Sequence, residues 1–429
     1  NRLADLKNAE AILVIGADPN HSVPVVSYYL KNAAQNGIPL VLVDPRKTEL
    51  AAFASVWLAI KPQSDLELLN GLAALLHEQK AYDSSFVDQY TEGFSLFRYS
   101  LSSLDIKRIS RLTHLDMDAL DKTAELLKGK KLAIVVGQGV IQQKYGSQTL
   151  GAILNLSLIS GSLGCAGAGI YVLAKENNQL GAMDMGAVPD LLPGRQPIGN
   201  HAARKIWEKN WQINISPDPG LNLVQMIEAA ERGNLKALYI MGENPLRAMP
   251  QPDRVKNALK NLEFIVVQDI LDSETTRIAD VVLPAAAISE KEGSVTNLEG
   301  RIRSFKAVTS PPAKAKPDWE ILDRLSAELG GTTPYGSFEK IRQEIQQFVP
   351  MYGLLNGSDH TWLQTTSDKA LFEGEGADGL ISFCPVVSTE EEPADRDYPF
   401  TAIVGSQRYH LGSGTRTQAS DRIQGLDGI

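Results

Sequence analysis

Two short runs of this chain join an apolar stretch to a turn that could hold a ligand. Ala11-Ile12-Leu13-Val14-Ile15-Gly16-Ala17-Asp18-Pro19 returns as Ala237-Leu238-Tyr239-Ile240-Met241-Gly242-Glu243-Asn244-Pro245. Glycine at such a turn lets backbone approach a ligand closely, and proline fixes the chain direction without needing a donor. Asp18 and the pair Glu243-Asn244 add short polar groups that bind a ligand edge or cap the next helix. Free N–H groups at a helix start suit phosphate. A second apolar run closes at Asp44-Pro45-Arg46, and its counterpart closes at Gln268-Asp269. An acid at that place in a nucleotide-binding sheet takes ribose hydroxyls or a guanine edge; a helix cap is the plainer use of the same residue. Leu132–Val136 ends in the same manner, at Gly137-Gln138-Gly139. The chemistry these residues point to is nucleotide binding, although neither G-x-G-x-x-G nor a Walker A run is present, which disfavours ordinary NAD binding.

The elements that must position these groups repeat. The offset is 226 residues from Gly16 to Gly242, 225 from Asp44 to Asp269 and 225 from Ala54 to Ala279. A near-constant offset over three blocks marks two copies of one α/β unit, able together to hold one long ligand with two nucleotide-like ends. Short apolar runs at 12–15, 40–43, 56–60 and 132–136 alternate with helical patterns at 23–36, 65–79 and 116–127. That alternation predicts a parallel sheet covered on both faces. In the second copy helices are expected at 223–230, 254–262 and 318–329, and strands at 237–241, 264–268 and 281–283. The expected fold class is α/β: two duplicated doubly wound parallel-sheet domains, then the start of a C-terminal β-barrel. The expected domains are 1–170 and 171–345, the latter with a Gly/Pro/Asn-rich loop at 162–220. A linker at 346–395 and the opening of a β domain at 396–429 complete the organisation.

Composition narrows the partners. The chain has 429 residues and a net charge of −9, which argues against a nucleic-acid surface. Its two cysteines, Cys165 and Cys384, have no C-x-x-C partner, so they supply neither a disulfide framework nor a cysteine-ligated cluster. Cys165 reads as a small buried thiol. No apolar run is long enough to span a membrane. The abrupt ends read as those of an internal piece of a longer protein. Glu290-Lys291-Glu292-Gly293 and the residues up to Arg301 read as a polar loop after the last strand.

With these residues in view, the chain resembles the molybdopterin oxidoreductases of the dimethyl-sulfoxide-reductase type. The carrying stretches include Val43-Asp44-Pro45-Arg46, Asn177-Asn178-Gln179-Leu180-Gly181, Gly242-Glu243-Asn244-Pro245, Val267-Gln268-Asp269, Ala279-Asp280-Val281-Val282-Leu283-Pro284 and Glu290-Lys291-Glu292-Gly293. The nearest branches are formate dehydrogenase alpha subunits and the molybdopterin-like domain in the large iron–sulfur subunit of NADH–quinone oxidoreductase, respiratory complex I. The resemblance implies a bis-molybdopterin guanine dinucleotide carrying molybdenum or tungsten, with iron–sulfur clusters before Asn1. It implies Gly16, Asp18, Asp44, Arg46, Asp65, Gly137, Gln138, Asn177, Gly242, Glu243, Asn244, Gln268, Asp269 and His410 as cofactor contacts, and no metal ligand within the chain. It also exposes departures. Ala174, with Lys175 beside it, stands where formate dehydrogenases place a formate-binding arginine, Val23 where the first motif has histidine, and Ser406 where an arginine is common. An alanine cannot form the guanidinium–carboxylate fork. The expectation drawn is the complex I subunit, with an eroded pterin site and no catalytic residue of its own in this chain. Its setting would be the cytoplasmic arm of a membrane-associated, multi-subunit redox complex. The alternative is a working formate dehydrogenase or related catalytic subunit.

Overall fold

Continuous apolar runs need cover on both sides, and the first sheet provides it. The computed structural model describes residues 1–174, 176–331, 335–353, 360–362, 379–389, 397–410, 412–417 and 420–423. Strands β1 (Ala11–Ile15), β2 (Leu40–Val43) and β3 (Val56–Leu58) are followed by a two-residue strand, β4 (Thr91–Glu92). Then come β5 (Leu132–Val136) and β6 (Gly169–Val172). The main sheet has the order β3-β2-β1-β5-β6 and every pairing in it is parallel. All residues of β1, β2 and β5 are fully buried. Helices Asp65–Glu78, Met117–Leu127 and Gly146–Ile159 lay Leu68, Leu69, Leu72, Leu120, Ile153 and Leu156 against Leu13, Ile15, Val41 and Val43. Asp116 caps the second of these helices, accepting from the Ala119 N–H at 2.7 Å.

After two short strands, β7 (Leu191–Leu192) and β8 (Gln196–Pro197), the second copy supplies β9 (Ala237–Met241), β10 (Phe264–Asp269) and β11 (Val281–Pro284). Their order is β11-β10-β9, again parallel. The repeat extends to register. Ile15 pairs with Val43 and Val43 with Leu58; Met241 pairs with Gln268 and Gln268 with Leu283. Among the described residues this three-stranded sheet has no counterparts of β5 and β6. Its covering differs too. Helices Leu223–Glu231 and Pro252–Lys260 seal one face through Ile227, Val255, Ala258 and Leu259, packed on Ile240, Ile265 and Val267. On the other face Met241, Phe264 and Val281 remain 38–50% exposed, so this sheet alternates where the first is apolar throughout.

Several expectations meet a different structure. The polar loop after β11 is a hairpin, β12 (Gly293–Thr296) with β13 (Arg301–Phe305). The loop-rich stretch 162–220 carries helix His201–Trp211, whose Trp207 is buried with Phe348, Val349 and Tyr352. The run at 398–404, expected to open a β-barrel, forms no strand: Tyr398, Phe400 and Val404 are 79–92% exposed, and a strand without partners or a packed face has nothing to hold it. Cys165 is only partly buried, its thiol reaching the Gly161 carbonyl at 3.4 Å.

The chain divides into two compact units, residues 1–175 with 366–408, and 176–365 with 409–429. Residues 379–389, which fall within the stretch expected as a linker, are docked on the first unit by buried polar side chains. Asn155 makes a two-point contact with Cys384, donating to its carbonyl at 3.0 Å and accepting from its N–H at 2.8 Å. Asn70 donates to the Val387 carbonyl at 3.0 Å, and Glu67 accepts from the Thr389 hydroxyl at 2.8 Å. Phe383 stacks on Phe97 with ring centres 4.5 Å apart. Asn155→Ala is expected to strip both partners from Cys384 and to cost about 2–4 kcal/mol. The measurement is a urea titration paired with limited proteolysis; unchanged cleavage within 379–389 would count against the docking role.

Candidate functional site

The strand ends of the first unit gather the residues singled out from the sequence. β1 and β5 are neighbours at the point where the strand order reverses, where open α/β sheets place their ligands. Gly16 leaves β1 at φ +58, the left-handed region that favours glycine. Gly137 donates from its N–H to the Ile15 carbonyl at 2.9 Å, and Gly139 to the Gly16 carbonyl at 3.0 Å. A Cβ on Gly137 would lie 2.2 Å from the Gly16 oxygen. The two turns are thus locked together by backbone contact, and Gln138 opens a four-residue helix from that lock.

Three carboxylates face this edge. Asp18 Oδ2 meets His21 Nδ1 at 2.9 Å and lies 4.0 Å from the Arg46 guanidinium. Its other oxygen, Oδ1, is buried and has no hydrogen-bond partner among the described residues. Asp18 makes no side-chain cap for the helix Pro19–Ser22. A buried acceptor left unmade costs about 1–3 kcal/mol, so an arriving donor gains most at such a place. Asp44 is 3% exposed and accepts from the Arg46 N–H at 2.8 Å and Nε at 3.4 Å. Burial raises its pKa, against the lowering effect of Arg46. Asp65 begins helix Asp65–Glu78. Burial pushes its pKa up to about 6, with Asp44 adding a smaller rise and the Gln143 amide, 3.2 Å away, opposing it. This set of carboxylate acceptors fits a ligand edge rich in N–H or O–H groups, such as guanine or a ribose diol, which would favour the ionised forms.

The second unit carries the same turn with its polar groups already engaged. Gly242 has φ +67 and donates to the Gln268 carbonyl at 2.8 Å, as Gly16 donates to Val43 at 3.1 Å. Asn244 donates to Glu274 at 2.7 Å and to Thr415 at 3.1 Å, and accepts from Thr275 at 2.7 Å. Gln268 is fully buried between the Tyr239 hydroxyl, which donates to it, and Asp318, to which it donates at 2.7 Å. Lys291 pairs with the other Asp318 oxygen. Asp269 accepts from the Ile270 N–H at 2.7 Å, and Arg416 donates to the Gly242 carbonyl at 3.2 Å. Glu243 turns back to accept from the Asn244 N–H at 2.8 Å. The copy whose sequence stays nearer the family pattern is therefore the one whose side chains are spent within the fold.

Asp318 belongs to this site although its sequence context marks only a helix start. Asp65-Leu66-Glu67-Leu68-Leu69 and Asp318-Trp319-Glu320-Ile321-Leu322 are one motif, each opening a helix. The β12–β13 hairpin lies between β11 and the second copy, so the offset jumps from 225 to 253 residues and a constant-offset search passes over it. Elsewhere in the second unit, Asn177 is exposed. Its neighbour Asn178 accepts from the Thr296 N–H at 2.8 Å. His410 is buried with Nδ1 2.9 Å from the Thr417 hydroxyl. Ala174 is half-buried in the first unit, and Lys175 lies outside the described residues. Among the described residues no three His, Cys, Asp or Glu side chains converge to hold a metal ion, and no helix is long and apolar enough to cross a membrane.

Comparison with known proteins gives these strand ends a context. Residues 1–328 match the family described as molybdopterin oxidoreductase. The chain is 32% identical to the F420-dependent formate dehydrogenase subunit alpha of Methanocaldococcus jannaschii, over 97% of this chain and 64% of the relative. It is 33% identical to formate dehydrogenase H of Escherichia coli, over 82% and 50% respectively. It is 30% identical to the assimilatory nitrate reductase catalytic subunit of Bacillus subtilis, over 98% and 62%. The chain thus spans less than two thirds of each of these relatives. Among solved structures, acetylene hydratase from Pelobacter acetylenicus has a similar fold, with a TM-score of 0.67 at 18% identity over 84% of this chain and 55% of that one.

Proposed function

We propose that this chain, which belongs to the molybdopterin oxidoreductase family, is the cofactor-holding part of a catalytic subunit of the formate dehydrogenase type. Family membership implies a molybdenum- or tungsten-pterin group. When bound, that group supplies the electron-transfer chemistry, and the protein supplies orientation and electrostatics. The residues proposed to hold a guanosine end are Asp18, Asp44 and Asp65, over the cradle of Gly16, Gly137 and Gln138. The observation that carries this reading is the buried Asp18 Oδ1, without a partner among the described residues, beside two acids whose pKa burial raises. Polar groups of this kind, buried at the reversal point of a parallel sheet, mark a ligand site better than they explain stability. The relatives named as formate dehydrogenases and a nitrate reductase support this reading over the large iron–sulfur subunit of NADH–quinone oxidoreductase. Electron delivery would fall to an iron–sulfur relay and partner subunits, in keeping with the alpha-subunit name of the Methanocaldococcus relative.

Ala174 bears on the substrate. Without a guanidinium there, formate loses a paired, charge-assisted contact, and the proposed substrate is one that does not depend on it. The same alanine, with the self-satisfied second strand end, favours the second reading: a molybdopterin-type scaffold without its cofactor, serving a respiratory complex as structure. Metal and pterin analysis of the protein as isolated separates the two. About one molybdenum or tungsten per chain, with oxidised-pterin fluorescence, is the expected result. A folded protein with neither metal nor pterin would overturn the catalytic reading and leave the scaffold.

A further inference from the structure

Far from the strand ends, the first unit carries a cleft of about 740 Å³ lined by His77, Glu78, Lys80, Tyr82, Arg98 and Tyr99, among others. Helix Asp65–Glu78 starts at the carboxyl edge of the sheet and has 14 residues. At about 1.5 Å per residue its far end, with His77, lies about 20 Å from Asp65. The cleft is thus separate from the proposed cofactor site.

Its lining sets two cations, Lys80 and Arg98, against one carboxylate, Glu78. Neither Lys80 nor Arg98 makes an ion pair or side-chain hydrogen bond among the described residues, although acidic side chains outnumber basic ones in this chain. Lys80 sits at φ +53, where an L-residue is strained by about 1–2 kcal/mol and glycine or asparagine is the ordinary choice. The aromatic side is firmly built. His77 stacks on Tyr82 with ring centres 5.8 Å apart, and Phe94 meets the His77 ring edge-on at 6.4 Å. Tyr99 is left 76% exposed, one helical turn from the backbone of Ser95 and beside Arg98. Ser84 and Ser95 add hydroxyl donors. Unpaired cations, hydroxyls and an uncovered aromatic face together suit an anion attached to a flat ring: the cations take the charge and Tyr99 covers the ring.

We propose that this cleft is a second binding site, for a small aryl phosphate or aryl carboxylate, independent of any pterin site. Arg98 and Lys80 take the anionic group and Tyr99 closes over the ring. Titration of the whole chain with phenyl phosphate, followed by calorimetry, tests it. Inorganic phosphate and phenol serve as separate arms that report the charge and the ring alone. Saturable binding is expected, weakened about tenfold in Arg98→Ala and at least several-fold in Tyr99→Ala, with Arg98→Lys between wild type and alanine. Each single component should bind at least about tenfold more weakly than phenyl phosphate. Both side chains are exposed, so neither variant threatens the fold. Absence of saturable phenyl phosphate binding, or equal affinity in wild type and Arg98→Ala, would overturn the proposal. Neither result bears on metal or pterin content, so the two proposals fail separately.

Discussion

Gly137→Ala should destabilise the first unit by about 4 kcal/mol, among the largest single effects available in this chain. The added Cβ would stand 2.2 Å from the Gly16 oxygen and 2.6 Å from both the Cα and Cβ of Ala17. None of these is the movable end of a flexible side chain. Two are backbone atoms of the turn that leaves β1, and that turn is pinned by Gly139 N–H donating to the same Gly16 oxygen at 3.0 Å. Relief therefore requires β1 and β5 to part at their carboxyl ends, breaking the Gly137 to Ile15 bond as well. Gly37→Ala is the matched control. Gly37 has φ +88 but nothing within 4 Å of its would-be Cβ, so it reports left-handed strain alone, about 1 kcal/mol. Urea melts of the two variants should differ by about 3 kcal/mol. Equal losses would mean that the β1–β5 lock is softer than described. Because the lock forms the floor of the proposed guanosine site, Gly137→Ala should also abolish cofactor retention in whatever fraction stays folded.

Asp65→Asn should act in the opposite direction, and its effect should depend on pH. The folded-state pKa of Asp65 is raised to about 6 from 3.8. An acid whose folded pKa is raised binds its proton more tightly in the native state than in the unfolded one. Native stability from this group is thus fully present below about pH 4 and is lost as pH rises towards 6. A shift of about 2 pKa units corresponds to about 3 kcal/mol, missing at pH 7 and above. Asparagine keeps an acceptor for the Gln143 amide, 3.2 Å away, and carries no charge to desolvate. The variant should match wild type near pH 4 and exceed it by about 3 kcal/mol at pH 7.5. Denaturant titrations at the two pH values check this; a gain of equal size at both would remove the link to ionisation. A buried group that lowers stability at neutral pH is what the proposed ligand-contact role of Asp65 requires.

Much of the scaffold is legible in the sequence. The strand runs at 40–43, 132–136 and 237–241 emerge with those bounds, and the helix expected at 65–79 spans Asp65–Glu78. Unbroken apolar runs and 3.6-residue patterns are local signals, carried by neighbouring residues. The run at 398–404, expected to open a β-barrel, forms no strand in this structure for the converse reason. Its residues have the β-branched and aromatic character of a strand, but pairing is a relation to another segment that the run itself does not encode. The hairpin at 293–305 escapes a sequence reading because polar residues such as Asn297 and Glu299 cluster around its turn and mask the alternation on either side.

What the sequence determined by itself is the duplication: two copies of strand, G-x-[Asp/Asn]-Pro turn and paired second strand, with a register that both sheets reproduce. The offset alone carries that, because an inherited repeat keeps its hydrogen-bonding partners when it keeps its spacing. What only the tertiary structure decided is which copy has polar groups to spare. Asn244 and Gln268 look like ligand contacts in sequence, yet Thr275, Glu274, Thr415, Tyr239 and Asp318 converge on them from up to 171 residues away. Asp18 looks like drift from the same motif, yet one of its oxygens is buried with no partner among the described residues. Satisfaction of a hydrogen-bonding group depends on what folding brings beside it and on whether water can reach it. Neither quantity is a property of the residue or of its neighbours in the chain.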